Sequence, residues 1–127
     1  MTFALAQFRL RGASDVRARL GAVIDGRLVD LTAADSHLAE LSALIAGGDK
    51  GLAHARQVAG KAAEVDPSKV EWLPPIANPG KIVCLGLNYA AHAAEGGNKA
   101  AEYPSFFLRV ASSLVGHRAT MIRPRVS

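Results

Sequence analysis

The chemistry this chain could do centres on two side chains. In Asn88-Tyr89-Ala90-Ala91-His92-Ala93-Ala94-Glu95, His92 and Glu95 stand three residues apart. On a helix that spacing puts them on one face, within reach of each other. A carboxylate beside an imidazole raises its basicity and fixes its tautomer, as a general base that activates water requires. A His and a Glu on a short exposed helix are also ordinary surface residues, and spacing alone leaves both readings open. Cys84 sits inside the apolar run Lys81-Ile82-Val83-Cys84-Leu85-Gly86, where a thiol reads as an inert core residue. His37, His54 and His117 are dispersed and read as solvated surface residues. Gly80-Lys81-Ile82 lacks the Ser or Thr and the earlier Gly of a phosphate-binding loop. Leu85-Gly86-Leu87-Asn88 is not a dinucleotide fingerprint, and no GxSxG elbow occurs.

The elements that must hold these residues follow from pattern. Lys81–Gly86 reads as a buried strand, residues 89–95 as a helix stopped by Gly96-Gly97, and Phe106-Phe107-Leu108 as a second buried strand. Ser112 to Gly116 makes a turn, and Met121-Ile122 begins a third strand. Upstream, Phe3–Phe8 and Arg19–Ile24 read as strands. Asp25-Gly26 then turns into the alternating Arg27–Leu31, a hairpin signal because both turn residues need positive φ. Ser36 is placed to cap a helix carrying Leu38, Leu41, Leu44 and Ile45, which Gly47-Gly48 ends. An Ala-rich helix from Asp49 to about Glu64 has a weak apolar face and is expected on the surface. Pro67, Pro74, Pro75 and Pro79 break the pattern, and Val70 to Ile76 reads as an extended connector. The domain boundary falls there, giving residues 1–73 and 74–127.

Composition narrows the class. Of 127 residues, half are hydrophobic and a fifth charged, which excludes disorder as the default. Fifteen Lys and Arg against eleven Asp and Glu give a net charge of +4. The Arg residues are spread along the chain, so a nucleic-acid partner is permitted and not indicated. No apolar run approaches the roughly 20 residues of a membrane span, so no membrane partner is expected. The N-terminus lacks the pattern of a secretory signal. A single Cys leaves no internal disulfide. A cytoplasmic protein is expected.

The ordered series Lys81–Tyr89, His92 and Glu95, Tyr103-Pro104, Phe106-Phe107-Leu108-Arg109 and Ser112–Gly116 closely resembles the fumarylacetoacetate hydrolase family over residues 74–127. Residues 1–73 look like the small domain that precedes the catalytic domain in many bacterial members. The resemblance implies an α+β protein: a small N-terminal β-hairpin and helix domain, then the start of a mixed, rolled β catalytic domain. It implies chemistry on oxo-acids with carbon–carbon bond cleavage or rearrangement, including acylpyruvate hydrolysis, oxaloacetate decarboxylation and isomerisation. The resemblance also implies a divalent cation, Mg²⁺ or Mn²⁺, that chelates the substrate in the complete enzyme and stabilises the developing enolate. The family's His maps onto His92 and its Glu partner onto Glu95, together activating water. Asn88, Tyr89 and Arg109 are assigned to substrate binding, Arg109 standing where relatives often carry Lys.

Family metal ligands are acidic residues beyond the stretch matching Ile122 to Ser127. No Asp or Glu follows Glu102, and residues 74–127 offer only Glu95 and Glu102. No metal is therefore expected in this chain alone, which reads as the N-terminal portion of a longer enzyme, inactive by itself and homodimeric when complete. Two alternatives stay open: a small basic binding module using Arg17, Arg19, Arg27, Arg123 and Arg125, or an enzyme half completed in trans by a second subunit.

Overall fold

A computed structural model of the chain describes residues 2–86, 88–97 and 103–126, with Ala90, His92 and Ala93 described as backbone only. The chain forms two compact units, Met1–Ala77 together with Val115–Ser127, and Asn78–Leu114.

The first unit is built on a five-stranded antiparallel sheet. Its strands are β1 (Phe3–Leu10), β2 (Arg19–Ile24), β3 (Arg27–Asp30), β4 (Glu64–Val65) and β5 (Val70–Trp72). Their order across the sheet is β4-β3-β2-β1-β5. The Asp25-Gly26 hairpin forms as its sequence dictates, with φ of 47° and 87° at the two turn residues. Ile24 pairs with Arg27 and Gly21 with Asp30. Alternation then sends Leu20 and Ala22 to one face, where they pack with Val29, Leu31, Leu38, Leu41, Leu44, Ala55 and Ala59. Phe8, Leu28 and Val70 form a smaller cluster. A Cβ at Gly21 would come within 2.8 Å of the Leu28 and Phe8 side chains, so glycine lets these two large residues close over the strand.

Three helices complete the unit: α1 (Leu31–Ala34), α2 (Leu41–Ala46) and α3 (Gly48–Ala59). Asp30 holds the junction between β3 and α1. Its Oδ1 accepts from Ala33 N at 2.9 Å, capping α1. Its Oδ2 meets Arg19 Nη1 at 2.7 Å, with the Asp30 side chain almost fully buried. Next to it, Leu20 N donates to Thr32 Oγ1 and that hydroxyl donates to Leu38 O, both at 2.7 Å. These bonds tie β2 to the turn that leads into α2.

Several local expectations are corrected here. Ser36 caps no helix: α2 starts at Leu41 behind Glu40, which makes no side-chain cap. Asp35 organises the preceding turn instead, its Oδ1 accepting from His37 N at 2.9 Å. The Ala-rich helix ends at Gly60, earlier than expected, because residues 64 and 65 leave to pair with β3. It is no mere surface helix, since Ala55 and Ala59 are buried and their small size lets α3 lie close to the core. The expected connector is partly strand: β5 pairs with β1 through Phe8↔Trp72 and Leu10↔Val70. Arg9 and Glu71 join the same two strands by a two-point ion pair at 2.8 Å. Gly116 lies so close to β5 that a Cβ there would overlap the Trp72 carbonyl oxygen. Met121-Ile122 forms no strand.

The second unit contains β6 (Ile82–Gly86), α4 (Ala90–Glu95) and β7 (Ser105–Arg109). β6 and β7 form a two-stranded antiparallel sheet in which Val83 faces Leu108 and Leu85 faces Phe106. These four residues share one face, and all are exposed, Phe106 by 63% and Leu108 by 73%. The two strands have the apolar composition of buried ones, but burial needs an opposing layer, and none of the described residues buries this face.

Three outcomes follow. Asp30→Ala should destabilise the chain by roughly 3 kcal/mol, read from the denaturation midpoint, because it removes a helix cap and leaves a mostly buried guanidinium with only its longer contact to Asp15. Asp15, Asp35, Asp66 and Glu71 are all held below the usual carboxylate range. The leading causes are the Arg17 side chain for Asp15, the His37 amide for Asp35, Ser68 for Asp66 and the Arg9 side chain for Glu71. Folded-state values below unfolded ones mean stability present above about pH 4 and lost as pH falls below it, measurable as a falling melting temperature. The apolar hairpin face should bind a hydrophobic dye, and Phe106→Ser with Leu108→Ser should cut that fluorescence while leaving melting of the first unit unchanged.

Candidate functional site

The β6 strand delivers the chain to Asn88 and Tyr89, and α4 begins directly after them. The helix is short because Gly96-Gly97 follows it. Gly97 adopts a φ of 69° and its N–H bonds back to Ala94 O at 3.0 Å, closing the last turn. Positions 92 and 95 therefore lie about one helical turn apart, as the sequence spacing predicts. Glu95, Asn88 and Tyr89 are exposed, Tyr89 by 74%. The His92 side chain and all of Glu102 lie outside the described residues, so the contact expected between His92 and Glu95 stays an expectation.

Strand register decides which of the other site residues can join them. Gly86, at the α4 end of β6, pairs with Ser105, whereas Arg109 pairs with Ile82 at the opposite end. Four residues of strand separate the two ends, about 13 Å. Arg109 thus pairs at the strand end opposite the one that leads on to Asn88 and Tyr89, and Ser105 pairs at that leading end. A Cβ built on Gly86 would sit 3.6 Å from the Ser105 side chain, an ordinary contact. Nothing in the sequence pattern singles out Ser105, because its position depends on pairing register. Cys84, on the same face of the hairpin as Ser105, is a free thiol of intermediate burial.

A hard divalent ion needs several oxygen ligands. Among the described residues, no group of three or more His, Cys, Asp or Glu side chains lies together. These residues do not fit a Mg²⁺ or Mn²⁺ site.

The basic-module alternative loses much of its charge to internal partners. Arg17 binds Asp15 at 2.9 Å, Arg19 binds Asp30 at 2.7 Å and Asp15 at 3.3 Å, and Arg27 lies 3.7 Å from Glu64. His54, expected to be simply solvated, has its Nε2 2.8 Å from Asp35 Oδ2.

Comparison with known proteins agrees with the motif series. Residues 81–127 match the family description "Fumarylacetoacetate (FAA) hydrolase C-terminal". The chain is 31% identical over 122 residues to "Oxaloacetate tautomerase Fahd2a, mitochondrial" of Rattus norvegicus, an alignment covering 94% of this chain and 39% of that protein. It is 36% identical over 121 residues to "Oxaloacetate tautomerase YisK" of Bacillus subtilis, covering 80% of this chain and 40% of the relative. The chain thus spans about two fifths of the length of these curated relatives. A solved structure, "Fumarylacetoacetate hydrolase (EaFAH) from psychrophilic Exiguobacterium antarcticum", superposes with a TM-score of 0.56 at 26% identity, over 88% of this chain and 38% of that one. The motifs of residues 81–116, the matched segment and the shared fold agree: the chain belongs to the fumarylacetoacetate hydrolase family.

Proposed function

We propose that this chain is part of an enzyme that moves a proton on a small oxo-acid, with His92 as the base and Glu95 as the group that holds it. The observation carrying this reading is α4 itself, which follows β6 directly and sets positions 92 and 95 one turn apart. Two relatives that align with most of the chain are named oxaloacetate tautomerases, which favours keto–enol interconversion over the cleavage reactions of the wider family. In that reaction a proton leaves the carbon next to a carbonyl and a proton arrives on the oxygen, with no net change of atoms. His92 takes the carbon-bound proton. Glu95 hydrogen-bonds the ring's other nitrogen, keeps the reacting nitrogen unprotonated, and stabilises the imidazolium that forms. The same pair can deprotonate water, so hydrolysis of an acylpyruvate is the second reading, supported by the matched family description.

Asn88 and Tyr89 precede α4 and are the substrate contacts in this reading, with Ser105 added by register. Arg109, 13 Å or so along the hairpin, holds a substrate carboxylate only if that substrate is long. Enzymes of this family generally use a divalent metal, assigned here to the complete protein as Mg²⁺ or Mn²⁺; its chemistry is polarisation of the carbonyl. A cytoplasmic homodimer acting on a small molecule, without nucleic acid, completes the reading. No helix among the described residues is long and apolar enough to cross a membrane.

The test is kinetic, on the complete protein encoded by the gene, with oxaloacetate and an acylpyruvate as substrates. His92→Ala should lower kcat by roughly 10²–10⁴-fold, the usual worth of positioned proton transfer. Glu95→Gln should lower kcat and move the acidic limb of the pH profile downward, because the ring loses the charge that raised its basicity. A His92→Ala enzyme with wild-type kcat on a good substrate would remove the assignment.

A further inference from the structure

Past Glu102 the sequence carries no acidic residue, and its last stretch is basic, with His117-Arg118, Arg123 and Arg125. The start of that stretch is seated on the sheet of the first unit. Gly116 lies so close to β5 that any side chain there would overlap the Trp72 carbonyl. The turn that follows closes with Ala119 N donating to Gly116 O at 3.1 Å. Where this turn meets β5 and the end of β1, a cleft of about 360 Å³ opens, within the size range of small-molecule sites. Arg11, Glu71, His117, Arg118 and Thr120 stand in its wall.

The charges of this wall do not cancel. Glu71 is its one carboxylate, and both oxygens are taken by the Arg9 guanidinium at 2.8 Å. That pair is neutral, which leaves Arg11 and Arg118 as two uncompensated cations, and His117 adds charge when protonated. Arg11 uses its Nε on Val70 O at 2.8 Å, so its two terminal nitrogens stay available. The side chains of His117, Arg118 and Thr120 make no hydrogen bond or ion pair with any described residue. Arg118 is also held in an unusual backbone state, with φ of 61°. Among the described residues the only other non-glycine with positive φ is Asp25, whose hairpin requires it. Glycine or asparagine would hold the Arg118 backbone with less strain, and strain kept by firm surroundings gathers at ligand clamps.

We propose that this cleft binds the phosphate group of a small phosphate monoester, gripped by the Arg11 and Arg118 guanidiniums, with Thr120 and His117 donating further hydrogen bonds. A dianion is favoured because two guanidiniums face it with no free carboxylate opposing them. The planar fork of each guanidinium matches a pair of phosphate oxygens. A monocarboxylate would leave one guanidinium unmatched. Ala119 is the only apolar residue of the wall, so the affinity comes from the head group rather than from an apolar tail. The site lies in the first unit and stands apart from the reading of α4.

The experiment is an NMR titration of the ¹⁵N-labelled chain with glycerol phosphate, and separately with acetate, at about pH 7.5, where the monoester is mostly a dianion. Glycerol phosphate should give saturable shifts at the amides of residues 11, 71 and 116–120, half-saturating on the order of millimolar, as fits a ligand of so few atoms. Arg118→Gln should weaken it about tenfold, the worth of one charge-assisted hydrogen bond. Arg118→Gly suits the left-handed backbone, so it should weaken binding as much without lowering the melting temperature. Arg123→Gln combined with Arg125→Gln, outside the cleft wall, should change affinity by less than about twofold, since salt screens distant charges. Acetate should bind at least about fivefold more weakly than glycerol phosphate, having one charge to place between two guanidiniums. Absence of saturable shifts at these amides, equal loss in the Arg123/Arg125 and Arg118 variants, or acetate binding as tightly as glycerol phosphate would each overturn the proposal.

Discussion

The carboxylate of Asp30 does three things at one point of the fold. It ends β3, caps α1, and meets the Arg19 guanidinium that starts β2. A carboxylate this deeply buried is tolerable only because both oxygens are used, one by a backbone amide and one by a cation. The chain direction after β3 follows from that. Once Ala33 N is bound, the backbone must turn over the sheet, Leu31 drops into the core, and Thr32 bridges Leu20 N and Leu38 O. α2 and α3 then arrive on the face that Leu20 and Ala22 already present.

The second unit is organised on different terms. Among its described residues there is no buried polar hub and no two-sided core; its order comes from one antiparallel ladder and a helix stopped by glycines. Residues with chemistry gather at one end of that ladder, while Val83, Leu85, Phe106 and Leu108 present a flat apolar face elsewhere on it. Apolar strands leading to a short alanine-rich helix that carries His92 and Glu95 make a support whose precision depends on what packs behind it. Position at the α4 end is thus a matter of register first and of packing second.

Local signals were readable in the residues themselves. Asp25-Gly26 demanded a hairpin, because few other pairs accept two positive φ values in succession. The run Lys81–Gly86 and the Gly96-Gly97 stop placed the strand and helix that carry the candidate base. What could not be read depended on distant partners. Val70-Glu71-Trp72, lying between Pro67 and Pro74, looks like a connector until β1 is there to pair with it. Ser36 has the side chain of a cap, yet Asp35 takes the local amide, and His54 acquires a meaning only from a carboxylate 19 residues earlier. Phe106 to Leu108 have core composition, but composition cannot say whether a covering layer is near. Which residue pairs beside Gly86 is likewise set by register, and that residue is Ser105, while Arg109 pairs with Ile82.

The sheet order has a consequence for how the chain is made. β1 emerges from the ribosome before β2 and finds it at once, but its other edge waits for β5. Sixty-two residues separate Leu10 from Trp72, roughly 3–12 s of translation at typical rates of about 5–20 residues per second. Throughout that interval the outer edge of β1 is an open template for strands of other nascent chains. Arg9 sits in the middle of this edge, and a charge there discourages such pairing. When Glu71 arrives, the same guanidinium becomes the two-point clasp that closes the sheet. One side chain thus guards the unfinished edge during synthesis and then seals it.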